Sequence, residues 1–202
     1  GIITANDVFV SGILTATAID IQDETGDITT GIVTAITELN VGAGGTVVTA
    51  INQAGIGSVG INSTQPTSTL DVQGHTKLKT YSESVGLLEY NGTVVTVDLS
   101  EAQTFICTTT NVDITQFNLT NVPDEATSFT IRVTQGSSGG DSVAIDNFKF
   151  NGNTIPVYWP GGVVPTVTTT ANKTDIYSFK IFDGSNPVGS GLYGVIGGQN
   201  FS

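Results

Sequence analysis

Apolar and polar side chains alternate without interruption through the segment Ser128-Phe129-Thr130-Ile131-Arg132-Val133-Thr134. A period of two is typical of a β-strand with one buried face, so Phe129, Ile131 and Val133 are expected to face a core together. Residues 177–181 repeat the pattern near the end of the chain, with apolar side chains at every second position. No segment shows a sustained helical period with capping residues at both ends. The sequence therefore predicts an all-β protein.

Turn signals on either side of this segment predict how the strands are connected. Asn91-Gly92 lies between the apolar segments 86–90 and 93–97. This dipeptide favours a type I′ hairpin, in which both central residues take positive φ. Asn151-Gly152-Asn153 is a second signal of the same kind, within residues 147–157. Both signals predict antiparallel pairing of neighbouring strands.

The aromatic residues mark a domain boundary near residue 80. Fourteen of the fifteen Phe, Tyr and Trp residues lie between Tyr81 and Phe201, and only Phe9 precedes them. Large side chains supply most of a domain core. Residues 81–202 therefore predict a C-terminal antiparallel β-sandwich of about eight to ten strands. Jelly-roll-like and immunoglobulin-like connections both stay open, because periodicity does not distinguish them.

The region before the boundary is repetitive and poor in bulky side chains. Its repeats are Gly1-Ile2-Ile3-Thr4-Ala5, Gly12-Ile13-Leu14-Thr15-Ala16, Gly31-Ile32-Val33-Thr34-Ala35 and the variant Gly45-Thr46-Val47-Val48-Thr49-Ala50. Their spacing is irregular, which disfavours a single-chain β-helix. Ordering each residue costs roughly 1–2 kcal/mol, which such short apolar segments can hardly offset alone.

Three intertwined copies would pair the open strand edges and bury the apolar faces of these repeats. The sequence thus predicts a trimeric β-shaft over residues 1–54. One apolar position from each repeat is expected to form its interior: Ile2, Ile13, Ile32 and Val47. A measured mass of one chain at micromolar concentration would contradict this prediction.

Residues 55–74 carry a recognisable segment. They are Gly55-Ile56-Gly57-Ser58-Val59-Gly60-Ile61-Asn62-Ser63-Thr64-Gln65-Pro66-Thr67-Ser68-Thr69-Leu70-Asp71-Val72-Gln73-Gly74. The segment resembles the GIG…P…LDVxG motif of tail fibres and other virion structural proteins of phages, including contractile-tailed marine phages of cyanobacteria. Residues 157–179 and 197–201 are similar to the terminal domain of such fibres. From the residues themselves, 55–67 predict a turn-rich connector and 69–73 a half-buried strand, within a connector region of 55–80.

The resemblance implies a protein of the virion and fixes no receptor. Together with the predicted trimeric shaft, it favours a non-enzymatic protein of the virion surface, the distal shaft and tip of a homotrimeric tail fibre. Opening on Gly1 without an initiator Met, the chain is expected to be a processed product or the distal part of a longer polypeptide. The implied partners are other virion structural proteins and, for host attachment, a surface glycan or an outer-membrane receptor. One alternative is an architectural head, neck or baseplate appendage without receptor binding. A second is a polysaccharide hydrolase using some of the carboxylates of Asp141, Asp146, Asp175 and Asp183.

Candidate receptor-binding residues cluster around a flexible turn. Tyr158 and Trp159 precede Pro160-Gly161-Gly162, and a later loop carries Asp183, Ser185 and Asn186. Aromatic faces stack on sugar rings, and carboxylates or amides bond sugar hydroxyls. The structural alternative places Trp159 in the core or at a trimer interface.

Composition excludes several other functions. A net charge of −12 with only six basic residues argues against a nucleic-acid partner. No apolar run is long enough to predict membrane insertion. His75 is the only histidine, which excludes a metal site built from several histidines of one chain. No cofactor is expected.

Three residue groups leave smaller questions open. Three copies of His75 on a trimer axis could hold a transition metal, against a plain surface role. The acidic residues of loop 20–27 offer oxygen ligands for calcium but lack EF-hand spacing, so the alternative is a solvated loop. Cys107, the single cysteine, is expected to be a buried structural thiol.

Overall fold

The computed structural model describes residues 38–41, 48–53 and 56–202. Contacts divide the chain into two units, which meet in sequence at Leu78 and Lys79. The described residues form fifteen strands in three sheets, with one four-residue α-helix and one 3-10 turn. The all-β prediction is therefore confirmed.

Some predicted positions lie outside the described residues. These are the trimer-shaft positions Ile2, Ile13, Ile32 and Val47 and the acidic loop at residues 20–27.

The first unit contains one four-stranded sheet. Its strands are β1 (Glu38–Val41), β2 (Val48–Gln53), β3 (Ile56–Ile61) and β4 (Leu70–Val72). They follow one another across the sheet in chain order. Pairing is antiparallel between β1 and β2 and between β2 and β3, and parallel between β3 and β4.

The turn-rich connector predicted for residues 55–67 is partly wrong, because Ile56–Ile61 is strand β3. Gly60 in this strand allows a close approach of the following loop. A Cβ at Gly60 would lie 2.4 Å from the carbonyl oxygen of Ser63 and 3.0 Å from Pro66. Gly60 thus lets the following loop fold back over the strand, and that loop is the real connector.

Asp71 holds this loop in place. Its carboxylate accepts hydrogen bonds from the Ser63 hydroxyl at 2.8 Å, the Gln73 side-chain amide at 3.0 Å and the Thr67 backbone N–H at 3.3 Å. The Ser63 hydrogen bond is the main reason that the pKa of Asp71 lies below its ordinary value. The strand predicted at 69–73 is confirmed, but its buried residue is Asp71, whereas Leu70 is 62% exposed.

The second unit is a sandwich of two sheets. Its strands are β5 (Val85–Leu87), β6 (Tyr90–Asn91), β7 (Val94–Asp98), β8 (Thr104–Thr108), β9 (Gln116–Thr120), β10 (Thr127–Thr134), β11 (Phe148–Phe150), β12 (Asn153–Ile155), β13 (Val157–Tyr158), β14 (Thr174–Ile181) and β15 (Leu192–Phe201). The six-stranded sheet has the order β13-β15-β14-β10-β8-β5. The five-stranded sheet has the order β12-β11-β9-β7-β6.

The prediction that this sandwich is antiparallel is wrong. Strands pair antiparallel in β6–β7, β11–β12, β10–β14 and β14–β15. They pair parallel in β5–β8, β8–β10, β7–β9, β9–β11 and β13–β15. From β7 to β11 the chain changes sheet after every strand, so the next strand in the same sheet runs in the same direction. Jelly rolls and immunoglobulin domains are antiparallel, and these connections differ from both.

The predicted hairpins form, with one difference in the turn. Asn151 and Gly152 have φ of 50° and 79°, as a two-residue turn with positive φ at both positions requires. In the β6–β7 hairpin, Asn91 pairs with Val94, so the turn residues are Gly92 and Thr93 rather than Asn91 and Gly92.

The core lies between the two sheets. The ring of Phe148, from the five-stranded sheet, lies 4.9 Å from Phe179 and 6.2 Å from Phe129 of the six-stranded sheet. The predicted inward positions are confirmed, with at most 2% of each side chain exposed, at Phe129, Ile131, Val133, Tyr177, Phe179 and Ile181. Cys107 is buried as predicted, and burial raises the pKa of its thiol.

Candidate functional site

Tyr158 lies on the outer surface of the six-stranded sheet, on edge strand β13. Its neighbour across the sheet is Tyr193 of β15, and the two ring centroids are 5.1 Å apart. The two side chains are 48% and 45% exposed. Gly191 makes room for the Tyr158 ring, since a Cβ there would lie 2.5 Å from it. Tyr158 therefore rests against the backbone that leads into β15.

Phe182 extends this exposed surface. It is 61% exposed, and its ring meets Tyr193 edge-on at 5.2 Å. The amine of Lys180 lies 5.8 Å from the centroid of the Phe182 ring. We call Tyr158, Phe182 and Tyr193 the aromatic cluster. It offers ring faces and edges to solvent beside a cation, an arrangement that suits a sugar or another polar ligand with an apolar face.

Trp159, one residue after Tyr158, belongs to the core. Only 6% of it is exposed, and its ring packs edge-on against Tyr177 and Phe179 at 6.1 and 5.7 Å. Gly194 leaves space for the indole, because a Cβ there would lie 2.7 Å from the ring. The structural alternative for Trp159 is thus the observed one. The predicted stacking role of Trp159 is corrected, since strand alternation turns it away from the surface that Tyr158 occupies.

The loop between β14 and β15 carries the other predicted residues. The Ser185 hydroxyl donates to the Asp183 carboxylate at 2.6 Å. The Asn186 side chain caps the short helix α1 (Pro187–Ser190) by accepting from the Gly189 N–H at 3.1 Å. Asp183, Ser185 and Asn186 are all exposed. The loop is therefore held in one shape by its own polar groups, and Gly191 joins it to Tyr158.

Sequence reasoning missed Phe182 and Tyr193. Phe182 directly follows the alternating strand β14, and Tyr193 is the second residue of β15. The parallel pairing of β13 with β15 brings Tyr193 beside Tyr158, and no local sequence pattern predicts that pairing.

The four carboxylates considered for hydrolysis have different settings. Asp175 is 1% exposed and accepts from the N–H groups of Thr168 and Asn200 at 2.7 and 2.8 Å and from the Tyr177 hydroxyl at 2.9 Å. Burial alone would raise the pKa of Asp175, but these donors outweigh it and the pKa lies below its ordinary value. Asp175 is thus a structural clamp.

The other three carboxylates differ in exposure and in hydrogen-bond partners. Asp141 is buried and accepts from the Asn111 N–H at 3.1 Å. Asp146 is exposed, and Asp183 belongs to the β14–β15 loop.

A depression of about 500 Å³ lies near the edge formed by β5 and β6, and its lining includes Glu89, Asp98 and Glu101. The Asp98 carboxylate accepts from the Asn121 amide at 2.9 Å and from the Ser100 hydroxyl at 2.7 Å. These hydrogen bonds, that of Asn121 first, lower the pKa of Asp98. Asp98 therefore links the loop after β7, which contains Ser100, to the loop after β9, which contains Asn121.

His75 is exposed. Within residues 38–41, 48–53 and 56–202, no three His, Cys, Asp or Glu side chains are grouped so that they could hold a metal ion. The same residues contain no helix with the length and apolar character to span a membrane.

No protein-family model matches the chain, and no curated protein sequence or solved structure is significantly similar to it.

Proposed function

We propose that this chain is a non-enzymatic structural protein of a phage virion, the distal shaft and tip of a homotrimeric tail fibre that attaches the particle to its host. The virion surface as location rests on the resemblance of residues 55–74 and of the C-terminal segments to phage fibres. Other virion proteins would hold the fibre, and a host glycan or outer-membrane receptor would be its target.

The apolar face of the four-stranded sheet, which is exposed at Val59 and Leu70, carries the proposal. Register places Val59 beside Leu70 and Ile61 beside Val72 on one face. The backbone of β2 pairs with these two rows at Ala50 and Val48, and that of β1 continues the rows at Leu39 and Val41. Val59 and Leu70 are paired neighbours and are 38% and 62% exposed. A sheet with an apolar face needs a second layer to bury it.

Two further copies of the same sheet supply such a layer for every copy at once. Around a threefold axis, three apolar faces would enclose a common core, as the repeats of residues 1–54 also require. The polar groups of Asp71, Ser63 and Thr67 would then stay on the outside, where they hold the connecting loop.

Solution mass tests the trimer. Sedimentation at micromolar concentration should give three times the 20.8 kDa of one chain. Leu70→Lys should shift the mass toward one chain, because it places a charge in the common core, whereas Thr69→Lys, at an exposed position one residue earlier, should leave it unchanged. A wild-type mass of one chain would contradict the proposal.

Attachment is supported by the aromatic cluster and the ordered loop beside it, both exposed on the terminal unit. Purified trimer should compete with phage particles for adsorption to host cells. Tyr158→Ala should abolish this competition and keep the trimer, whereas Tyr81→Ala, at a tyrosine that is 74% exposed elsewhere in the chain, should compete like the wild type. A wild-type trimer that does not compete would favour the architectural appendage instead.

We propose that the chain has no catalytic activity because two of the carboxylates considered for hydrolysis have structural roles. Asp175 is engaged in a structural clamp, and Asp183 in shaping a loop. Release of reducing ends from host polysaccharide by the purified trimer would refute this part of the proposal.

A further inference from the structure

The two outer faces of the terminal sandwich differ in character. Among the described residues, no large apolar side chain is exposed on a strand of the five-stranded sheet. On the six-stranded sheet, by contrast, Val85, Leu87 and Val195 are 54%, 73% and 49% exposed. The two sheets share one core, so this difference is a property of their outer surfaces alone.

Strand register joins the exposed apolar residues into two adjacent rows across the six-stranded sheet. One row is Val195, Ser178, Thr130, Thr104 and Val85. The next row is Ile176, Arg132, Ile106 and Leu87. We call these two rows the aliphatic face. Small hydroxyl groups fill its centre, where the Thr130 and Ser178 hydroxyls are 3.0 Å apart.

The aliphatic face also lacks acidic groups, although the chain carries 18 of them. The six strands hold one carboxylate, Asp175, and it points into the core. The face bears the cation Arg132, with Lys180 on the next row. Carboxylates lie at its β5 edge, where Glu83 accepts from the Thr104 hydroxyl at 2.8 Å and where Leu87 lines the same depression as Glu89 and Glu101.

The outer face of the five-stranded sheet is polar apart from the half-buried Val94. Neighbouring strands there present Thr96 beside Asn118, and Asn118 beside Lys149. Asp98 lies at the end of the same surface, beside Thr120. Amides and charges of this kind are typical of a surface that stays in water.

We infer that the aliphatic face is where the terminal unit packs against the other two copies of this chain. The inference rests on the proposed homotrimer and locates its contact in the second unit. Each copy carries a net charge of −12, so copies approach with least repulsion through surfaces that lack carboxylates. Depletion of charge and enrichment in apolar side chains are also the marks of an interface core.

The size of the face agrees with a contact that acts together with the shaft. Two rows about 7 Å apart along the strands, crossing five strands about 4.8 Å apart, cover roughly 300 Å² per copy. A stable interface usually buries about 800 Å² per partner. The face therefore adds to a trimer that the first unit's sheet also holds, and it fixes the terminal units against one another.

Hydroxyl-radical labelling of the full 202-residue chain tests the inference separately from the trimer itself. Val195 and Val164 are matched in residue type and in exposure within one chain, at 49% and 44%. In a trimer with the aliphatic face covered, Val195 should be labelled roughly tenfold more slowly than Val164, because interface cores are packed like protein interiors.

Thr130→Arg and Thr96→Arg provide a pair of variants, one threonine on the outer face of each sheet. Thr130→Arg should restore labelling of Val195 to the rate of Val164, whereas Thr96→Arg should leave Val195 protected. The fluorescence of Trp159, buried in this unit, reports whether each variant is folded.

The outcomes separate the two proposals. A sedimentation mass of three chains with slow labelling of Val195 supports both. A mass of three chains with equal labelling of Val195 and Val164 overturns the inference and leaves the trimer standing, with the face free for a different virion protein. A mass of one chain overturns the proposed homotrimer and, with it, this contact.

Discussion

Asp175→Asn is expected to destabilise the terminal sandwich by about 2–4 kcal/mol, because its carboxylate accepts several charge-assisted hydrogen bonds at a buried position. One oxygen accepts from the Thr168 N–H and the Tyr177 hydroxyl, and the other from the Asn200 N–H. The side chain thus ties the loop before β14 and the end of β15 to β14 itself. An asparagine amide nitrogen would face at least one of these donors and leave it unpaired.

The magnitude follows from this geometry. A hydrogen bond to a charged group contributes about 1.5–3 kcal/mol, and a buried donor left unpaired costs about 1–3 kcal/mol. Asparagine keeps one acceptor oxygen, so a part of the hydrogen-bond contribution is retained. The expected loss therefore lies below the sum of the individual hydrogen bonds.

The loss should depend on pH with a definite sign. Because the folded-state pKa of Asp175 lies below the ordinary value of 3.8, the carboxylate stabilises the fold fully above that value. This contribution disappears as the pH falls through the lower, folded-state pKa. The difference in stability between wild type and Asp175→Asn should therefore be constant near neutral pH and shrink in acid.

Urea unfolding monitored by Trp159 fluorescence measures this effect in the right part of the molecule. Trp159 is the only tryptophan, and it packs on Tyr177, whose hydroxyl donates to Asp175. Asp146→Asn, at an exposed carboxylate, is the control and should change stability by less than about 0.5 kcal/mol. A loss at Asp175→Asn no larger than that of the control, or a loss that grows as the pH falls, would refute the reasoning.

Two further predictions concern packing in the second unit and in the chain as a whole. Gly184→Ala should lower the free energy of unfolding in urea by about 3 kcal/mol or more, since the added Cβ would lie 1.6 Å from the backbone oxygen of Pro123. Gly74→Ala, where no atom lies within 4 Å of the added Cβ, should be nearly neutral. Equal effects of the two substitutions would contradict the close approach of Pro123 to Gly184. The Cys107 thiol is buried and its pKa is raised, so a thiol reagent should modify it only after urea unfolds the protein; rapid modification of the native protein would show the core to be open.

Several features of this fold follow from local sequence patterns. The inward positions of β10 and β14 were predicted correctly because side chains alternate between the two faces of any strand. The hairpin at Asn151-Gly152 was predicted because few residue pairs accept positive φ at consecutive positions. These features depend on residues next to one another in the chain, so they can be predicted without knowing which strands pair.

The choice of neighbours was decided by tertiary structure. Alternation shows that a strand has two faces, but not which face is covered. In β4 the buried residue is Asp71 instead of Leu70, because a nearby loop offers hydrogen-bond donors to the carboxylate. Trp159 and Tyr158 likewise divide between core and surface according to how β13 is set against β15.

By itself, the sequence determined that the chain forms strands, where the main turns lie and which side chains supply the terminal core. Only the tertiary structure decided that parallel and antiparallel pairs are mixed, that Tyr158 joins Phe182 and Tyr193, and that the exposed aliphatic side chains of the terminal sandwich collect on one outer face. The physical reason is that pairing joins residues far apart in the chain. It is selected by how whole sheets cover one another, and no short segment contains that information.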